Sequence, residues 1–205
     1  MLQLLTTSPL AFVIIFGGLL LSITLHEYAH CWVTDKLGDP TPRSKGRLTL
    51  DPRAHLDPLG TLMILFASFG WGKPAPFDPY NLKNPLRDTA VIAAAGPVTN
   101  LAVALLLALL LRLGLAPILW LQLAIFQIMA INIMLAVFNL IPVYPLDGSK
   151  ILTAVLPKET AMEYETVMTR YGTLILLFLI FPWNGVSPVS RLLSPVINMI
   201  LGLLI

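Results

Sequence analysis

Residues 10–33 read LAFVIIFGGLLLSITLHEYAHCWV, an apolar run whose last third contains two histidines and a glutamate. A helix of this length and composition can cross the hydrocarbon core of a bilayer. His26, Glu27 and His30 form an H-E-x-x-H motif within it. Side chains four residues apart project from the same face of a helix, so both imidazoles can bind one zinc ion. Glu27 would stand beside that ion, where it could act as a general base.

The alternative is that these three side chains only cap the buried end of a helix. Ionisable groups are costly inside a membrane, and those that occur there mark functional sites by default. The H-E-x-x-H pattern is also one that zinc-dependent proteases use. The sequence therefore favours a metal site within the membrane over a structural helix end.

The composition is that of a membrane protein. The chain of 205 residues is 57% hydrophobic and only 12% charged, whereas soluble domains carry about 25% charged residues. The net charge of +2, without a basic run, argues against nucleic acid as a partner. The single cysteine, Cys31, excludes an intramolecular disulfide and a cysteine-based zinc finger. The first residues lack the basic region and cleavage site of a signal peptide, so we expect the first helix to be retained.

Three long apolar runs predict a core of three membrane-spanning helices, at about residues 9–35, 88–112 and 117–141. A fourth apolar segment, residues 59–71, is too short to cross a bilayer by itself. Polar segments rich in proline, glycine and asparagine surround it and are typical of loops. We therefore expect three core helices and one short interfacial or re-entrant segment.

The remainder of the chain is assigned to the same unit. Residues 162–205 are expected to form two C-terminal membrane helices. The polar stretches between the apolar runs are too short to fold as separate domains of typical size. The predicted fold class is thus an all-α polytopic membrane protein. Residues 1–205 form a single integral-membrane domain, with a catalytic core at about residues 1–157.

A catalytic zinc site needs a third protein ligand and one open position. The remaining histidine, His55, is the first candidate. Asp147 is a second, because it follows a long apolar run where a buried carboxylate without a partner would be expensive. Gly148 beside it would let the backbone approach the motif helix closely. The alternative is that Asp147 caps a helix beginning near Gly148; with H-E-x-x-H in the same chain, we favour the ligand.

A common metal site would constrain the topology. If His26, His30 and Asp147 meet, the first and third core helices end on the same side of the membrane. The segment between the first two helices, residues 35–87, then begins and ends on that side, so residues 59–71 must be interfacial, re-entrant or a partial hairpin. The positive-inside rule places this side toward the cytoplasm and the N-terminus outside. Its basic residues are Lys36, Arg43, Lys45, Arg47, Arg53, Lys73, Lys83 and Arg87, against Arg112 alone in the opposite turn.

Two motifs together carry a family resemblance. H-E-x-x-H at the end of a membrane helix, combined with NLIPVYPLDG at residues 139–148, resembles the site-2 protease family of intramembrane zinc metalloproteases. AGPVTN at residues 95–100 is similar to the G-P-x-x-N pattern of that family. RLTLDPRAHLDPLGT at residues 47–61 and WGKPAP at residues 71–76 resemble loops of its compact prokaryotic members, which lack PDZ and CBS domains. Ser149 stands where members often have a second glycine, which is a mild departure.

The resemblance implies roles for individual residues. It implies that Asn139 holds an unwound substrate or the oxyanion near the metal, the alternative being a helix-packing amide. Asn100 is expected to hydrogen-bond a neighbouring helix. For His55 we favour a structural role over that of a transient or regulatory ligand. The implied ligands of one Zn²⁺ per chain are His26, His30 and Asp147, and the implied general base is Glu27.

The implied function is hydrolysis of a peptide bond in or near a transmembrane helix of a membrane-protein substrate, which is regulated intramembrane proteolysis. The enzyme would be a multi-pass protein of the plasma or inner membrane. A short strand at residues 47–50 could pair with the extended substrate. One alternative is a protease of another H-E-x-x-H clan, with Glu159, Glu163 or Glu165 as third ligand. Another is a membrane zinc-binding or transport protein without proteolytic activity, which would not need Glu27.

Overall fold

The computed structural model describes residues 1–67 and 69–205, and these ranges form an all-α fold. They contain ten α-helices, one short 3₁₀ helix and no β-strand, so the predicted fold class is confirmed. The helices are α1 (Leu2–Thr7), α2 (Pro9–Lys36), α3 (Thr41–Ser44), α4 (Pro52–His55), α5 (Pro58–Ala67), α6 (Pro85–Arg112), α7 (Leu119–Asn139), α8 (Asp147–Val155), α9 (Lys158–Ile180) and α10 (Pro188–Leu204), with the 3₁₀ helix at Pro79–Asn81.

The three-helix core consists of α2, α6 and α7. Within the described residues, these are the three helices that are both long enough and apolar enough to cross a membrane. Small residues let them pack closely: a Cβ atom added to Gly18 of α2 would lie only 2.9 Å from the Ile128 side chain of α7. The interface of α6 with α7 buries four side chains completely or nearly so, Ala104, Ala108, Met129 and Ile133.

The segment between α2 and α6 turns back on itself, so that the residues before α5 contact the residues after it. Leu56, just before α5, forms an isolated antiparallel bridge with Gly72, which follows α5. The Lys73 N–H donates to the carbonyl oxygen of His55 at 2.7 Å. Residues 59–71 therefore follow the path of a partial hairpin, apart from Ser68, which lies outside the described residues. This path keeps the end of α2 and the start of α6 on the same side.

The strand expected at residues 47–50 is wrong. This segment has no ladder partner among the described residues and is irregular, with bends at residues 48 and 49. Its hydrogen bonds go elsewhere: the Arg47 guanidinium donates to the carbonyl oxygens of Lys73 at 2.7 Å and Pro74 at 3.0 Å. The segment thus braces the loop that follows α5 through a side chain, and an alternating sequence pattern does not reveal such a contact.

Two helices, α9 and α10, occupy the C-terminal region where the sequence predicts two membrane helices, but neither is among the described helices that are both long enough and apolar enough to cross a membrane. The first half of α9 carries Lys158, Glu159 and Glu163, so the helix is less apolar than the core helices. The next helix, α10, is a shorter apolar helix of 17 residues. Both pack on the turn after α7 through a buried cluster of Ile141, Val143, Leu146, Leu176, Val189 and Leu193.

A buried carboxylate joins the two ends of the polar segment. Asp39, which is fully buried, accepts hydrogen bonds from the N–H of Thr41 at 3.0 Å, the Asn81 side chain at 2.9 Å and the N–H of Asp78 at 2.6 Å. Burial alone would raise the pKa of the Asp39 carboxyl, but these bonds and that of the Thr41 hydroxyl outweigh burial and hold the pKa below its usual value. The charge of Asp39 therefore stabilises the packing of these loops.

Replacing Asp39 by alanine should lower the stability of the fold by about 2 kcal/mol, since buried N–H groups lose a charged acceptor. Because the pKa is depressed in the folded state, the contribution is complete above about pH 4 and is lost as the pH falls further. Thermal unfolding of the detergent-solubilised protein measures the change, with Glu163→Ala on the exposed face of α9 as the control. Equal melting temperatures for the two variants at neutral pH would contradict this role.

Candidate metal centre

Three side chains from α2 and α8 converge on one point. His26 and His30 lie one turn apart on α2, and Asp147 is the first residue of α8. The two Nε2 atoms are 3.0 Å apart, and Asp147 Oδ2 lies 3.1 Å from that of His26 and 3.3 Å from that of His30. The described part of the chain contains this one group of side chains that could hold a metal ion. We call it the three-donor cluster; it unites the residues that the sequence predicted to meet.

The other ring nitrogens of the histidines are already engaged. His30 Nδ1 lies 2.7 Å from the carbonyl oxygen of Ile92, and His26 Nδ1 lies 2.6 Å from Oδ1 of Asn100. Both partners belong to α6, and both oxygens can only accept a hydrogen bond. In the neutral imidazoles each Nδ1 therefore carries the ring hydrogen, which leaves the Nε2 lone pairs directed into the cluster.

This arrangement fits a metal ion. With neutral imidazoles and the ring hydrogens on Nδ1, three atoms that bear lone pairs face one another, and a metal cation between them relieves that repulsion. Ligands at about 2.0–2.1 Å from a tetrahedral zinc ion lie about 3.3 Å from each other. The separations of 3.0–3.3 Å within the cluster are close to that value. Two imidazoles and a carboxylate are also a donor set of catalytic zinc sites.

The Asp147 side chain does not have the geometry of a helix cap. Although α8 begins at this residue, its side chain does not cap the helix; the N-cap position is Leu146, without a side-chain hydrogen bond. The carboxylate points to the histidines instead. The rival acidic residues on α9, Glu159, Glu163 and Glu165, are exposed and lie outside the three-donor cluster.

A glycine of α6 makes room for the two imidazoles. A Cβ atom at Gly96 would lie 2.5 Å from both His26 Cε1 and His30 Nε2, so any larger residue would collide with the cluster. The sequence had suggested Gly148 for this close approach to the motif helix. That expectation is wrong, because Gly148 packs against the carbonyl groups of Leu140 and Ile141 at the end of α7.

Glu27 faces a cavity of about 490 Å³ beside the cluster. Its carboxylate has no hydrogen bond with another described residue, and Gly72 lies close enough that a Cβ there would be 3.2 Å from Glu27 Oε1. The cavity walls are mostly apolar and come from the segment after α5 and from α2, α7, α8 and α9. They include Phe69, Trp71, Phe138, Asn139, Lys150 and Leu177.

The three supporting residues that the sequence predicted lie in different surroundings. Asn139 lines the cavity, and its side-chain amide donates to the Leu135 carbonyl of its own helix at 2.9 Å. His55 is fully buried but outside the cluster, with Nε2 only 2.6 Å from the carbonyl oxygen of Thr49. Burial lowers the pKa of His55, although the bond to Thr49 opposes this shift. Asn100 contacts His26 directly, which is a more specific position than helix packing requires.

Sequence reasoning missed two polar residues behind the cluster. Asn132 of α7 accepts a hydrogen bond from the Asn100 side chain at 2.9 Å and donates one to the hydroxyl of Ser22 at 2.9 Å. Asn132 is fully buried, and Ser22 is nearly so. A polar residue in the middle of an apolar helix was the available signal, since such residues are costly in a membrane.

Known proteins resemble the chain over most of its length. The model of peptidase family M50 matches residues 116–179. YwhC from Bacillus subtilis (strain 168), named as a candidate zinc metalloprotease, is 37% identical over 188 residues, which cover 88% of this chain and 84% of YwhC. Rip2 from Mycobacterium tuberculosis (strain H37Rv), named in the same way, is 34% identical over 198 residues, covering 88% of this chain and 73% of Rip2. No solved structure matches the chain.

Replacing Gly96 by alanine should weaken zinc binding by about tenfold or more, because the new methyl group must displace an imidazole or push α6 away. The affinity of the purified protein for zinc, measured by competition with a chelator, gives this effect. Gly17→Ala is a matched control, because a Cβ there would meet no atom within 4 Å. Equal zinc affinities of the two variants would contradict the packing of Gly96 against the donors.

Proposed function

Because this chain belongs to peptidase family M50, the site-2 protease family, and is therefore a zinc-dependent membrane metalloprotease, we propose that it cleaves membrane-protein substrates within or beside a transmembrane helix. The observation that carries this proposal is the three-donor cluster beside a free glutamate, on helices long enough to span a bilayer. The reaction would be a step of regulated intramembrane proteolysis.

The residues of the site divide the chemistry between them. His26, His30 and Asp147 would hold one Zn²⁺ per chain, and the ion would supply Lewis acidity that polarises the scissile carbonyl and acidifies water. Glu27 would accept a proton from the attacking water and deliver it to the leaving amine. Its position on the cavity wall, without a competing hydrogen bond from the described residues, suits a base that must gain and lose a proton.

The cavity suits an extended apolar peptide. A helical substrate hides its carbonyl groups in its own hydrogen bonds, so it must unwind locally before the site can reach one. Phe69, Phe138 and Leu177 would pack against its side chains. The Asn139 side chain uses one N–H on the Leu135 carbonyl, so its oxygen and other N–H remain for the substrate backbone. This role for Asn139 replaces pairing with a strand at residues 47–50.

We place the site toward the cytoplasm and the N-terminus outside. The end of α2 and the start of α6 share one side, and the polar segment between them holds most of the basic residues. The turn between α6 and α7 on the other side holds little positive charge. The positive-inside rule then sets the orientation.

Changing Glu27 to glutamine should reduce cleavage by about 10²–10⁴-fold, because the general base is lost. Zinc content per chain should not change, since all three donors remain. Cells that carry only this variant should accumulate at full length a single-span membrane protein that wild-type cells cut, as quantitative proteomics would show. Glu163→Gln, on the exposed face of α9, serves as the control. Undiminished cleavage by the purified Glu27→Gln enzyme would refute the assignment of the base.

The orientation predicts which residues a membrane-impermeant thiol reagent reaches. In a Cys31→Ala background, Leu115→Cys in the exposed turn between α6 and α7 should be labelled in intact cells. Lys45→Cys, exposed in the segment after α2, should be labelled only after the membrane is opened. The reverse pattern would invert the proposed topology.

A further inference from the structure

A chain of buried polar side chains leads away from the metal centre. His26 Nδ1 donates to Asn100 Oδ1 at 2.6 Å, and the Asn100 amide donates to Asn132 Oδ1 at 2.9 Å. The Asn132 amide in turn donates to Ser22 Oγ and to the main-chain oxygen of Ile128, each at 2.9 Å. The four side chains come from α2, α6 and α7, and none is more than 6% exposed. Such a chain, buried in apolar helices, is too costly to be incidental.

The donor-to-acceptor direction of these hydrogen bonds determines whether His26 can bind a metal ion. A carboxamide presents an acceptor at one end and donors at the other. If Asn100 were reversed, its NH₂ group would face His26 Nδ1 and require a lone pair there. The ring hydrogen would then move to Nε2, the atom that points into the three-donor cluster. One orientation of Asn100 therefore permits metal binding by His26, and the other blocks it.

The orientation of the Asn100 carboxamide is determined by the contacts of its NH₂ group, which points away from His26. The oxygen of Asn132 accepts a hydrogen bond from the NH₂ group of Asn100 at 2.9 Å and so holds this group away from His26. The main-chain carbonyl of Ser22 is a second acceptor for the same NH₂ group, at the longer distance of 3.4 Å, and favours the same orientation. Asn132 cannot reverse either, because the Ile128 carbonyl can only accept. The Ser22 hydroxyl donates to the Gly18 carbonyl at 2.7 Å and so is left to accept from Asn132. Three main-chain carbonyls, those of Ile128, Gly18 and, at the longest distance, Ser22, thus fix the direction of these hydrogen bonds.

His30 offers an internal comparison. Its Nδ1 reaches the main-chain carbonyl of Ile92 directly at 2.7 Å, with no side chain between them. The two histidines therefore obtain the same tautomer by different routes. Only the route of His26 passes through Asn132, so a change at Asn132 should affect one histidine and spare the other.

We propose that Asn132 is a positioning residue of the metal centre, which holds Asn100 in one orientation and thereby keeps the Nε2 lone pair of His26 available to zinc. Asn132 lies outside the three-donor cluster and is not part of the cavity wall. The inference rests on the proposed function insofar as it takes His26 as a zinc ligand.

A double-mutant cycle tests the positioning role of Asn132. The zinc affinity of the purified full-length protein in detergent is measured by competition with a chelator. Asn132→Leu should weaken zinc binding about tenfold, as the loss of an outer partner of a ligating histidine does. In Asn100→Asp, both side-chain oxygens accept, so the His26 tautomer no longer depends on Asn132. Adding Asn132→Leu to Asn100→Asp should then cost less than about threefold.

The ring nitrogens give a second readout that packing alone would not change. In the zinc-free protein above neutral pH, ¹⁵N NMR should show the Nδ1–H form for both histidines. Asn132→Leu should give a mixture of tautomers at His26 and leave His30 unchanged. If Asn132→Leu does not fold, the smaller Asn132→Ala takes its place in both measurements, and Ile133→Val, at a buried neighbour on α7, controls for packing.

The outcomes are distinguishable. Equal losses of zinc affinity in both backgrounds would show that Asn132 only packs, and unchanged affinity in Asn132→Leu would also overturn the inference. A wild-type protein that binds no zinc would instead overturn the proposed metal centre, and this inference with it. Wild-type binding together with a loss that Asn100→Asp suppresses supports both.

Discussion

Three atoms that bear lone pairs, two imidazole nitrogens and a carboxylate oxygen, are held within 3.3 Å of each other on side chains that are largely buried. Such a cluster is unfavourable without a cation and costly to bury, so the surrounding structure must hold it in place. The remaining architecture is consistent with that demand. The helices α2 and α7 end on the same side, α6 runs antiparallel to both, and glycine at residue 96 lets α6 approach.

The hairpin-like path of the chain around α5 follows from the same constraint. If that segment crossed the bilayer, α6 would start on the opposite side of the membrane and run parallel to α2. Ile92 could then not contact His30 while Asn100 contacts His26, because that pairing requires the two helices to be antiparallel. Because Leu56 and Gly72 meet, the segment returns to its starting point and also supplies one wall of the cavity. The return of this segment therefore both sets the direction of α6 and forms part of the cavity beside the site.

Sequence reasoning reaches the core helices and the three-donor cluster because hydrophobic runs and the costs of buried charge are local properties. The hypothesis that Asp147 meets His26, although the two are far apart along the chain, then fixes the parity of the membrane crossings. The strand expected at residues 47–50 fails because Arg47 bonds to carbonyl groups that only the folded loop presents. The role of Asn132 could not be read from the chain, since it depends on which end of an amide faces which neighbour. Those contacts exist only once three helices are packed.

The central claim is that His26, His30 and Asp147 together hold one zinc ion. Zinc-edge X-ray absorption of the purified, zinc-loaded protein tests this directly. The account predicts one zinc per chain, bound only by nitrogen and oxygen at about 2.0–2.1 Å, with the scattering pattern of two imidazoles. A sulfur ligand at about 2.3 Å, which only Cys31 or a methionine could supply, would contradict it. So would a third imidazole, which would have to come from His55.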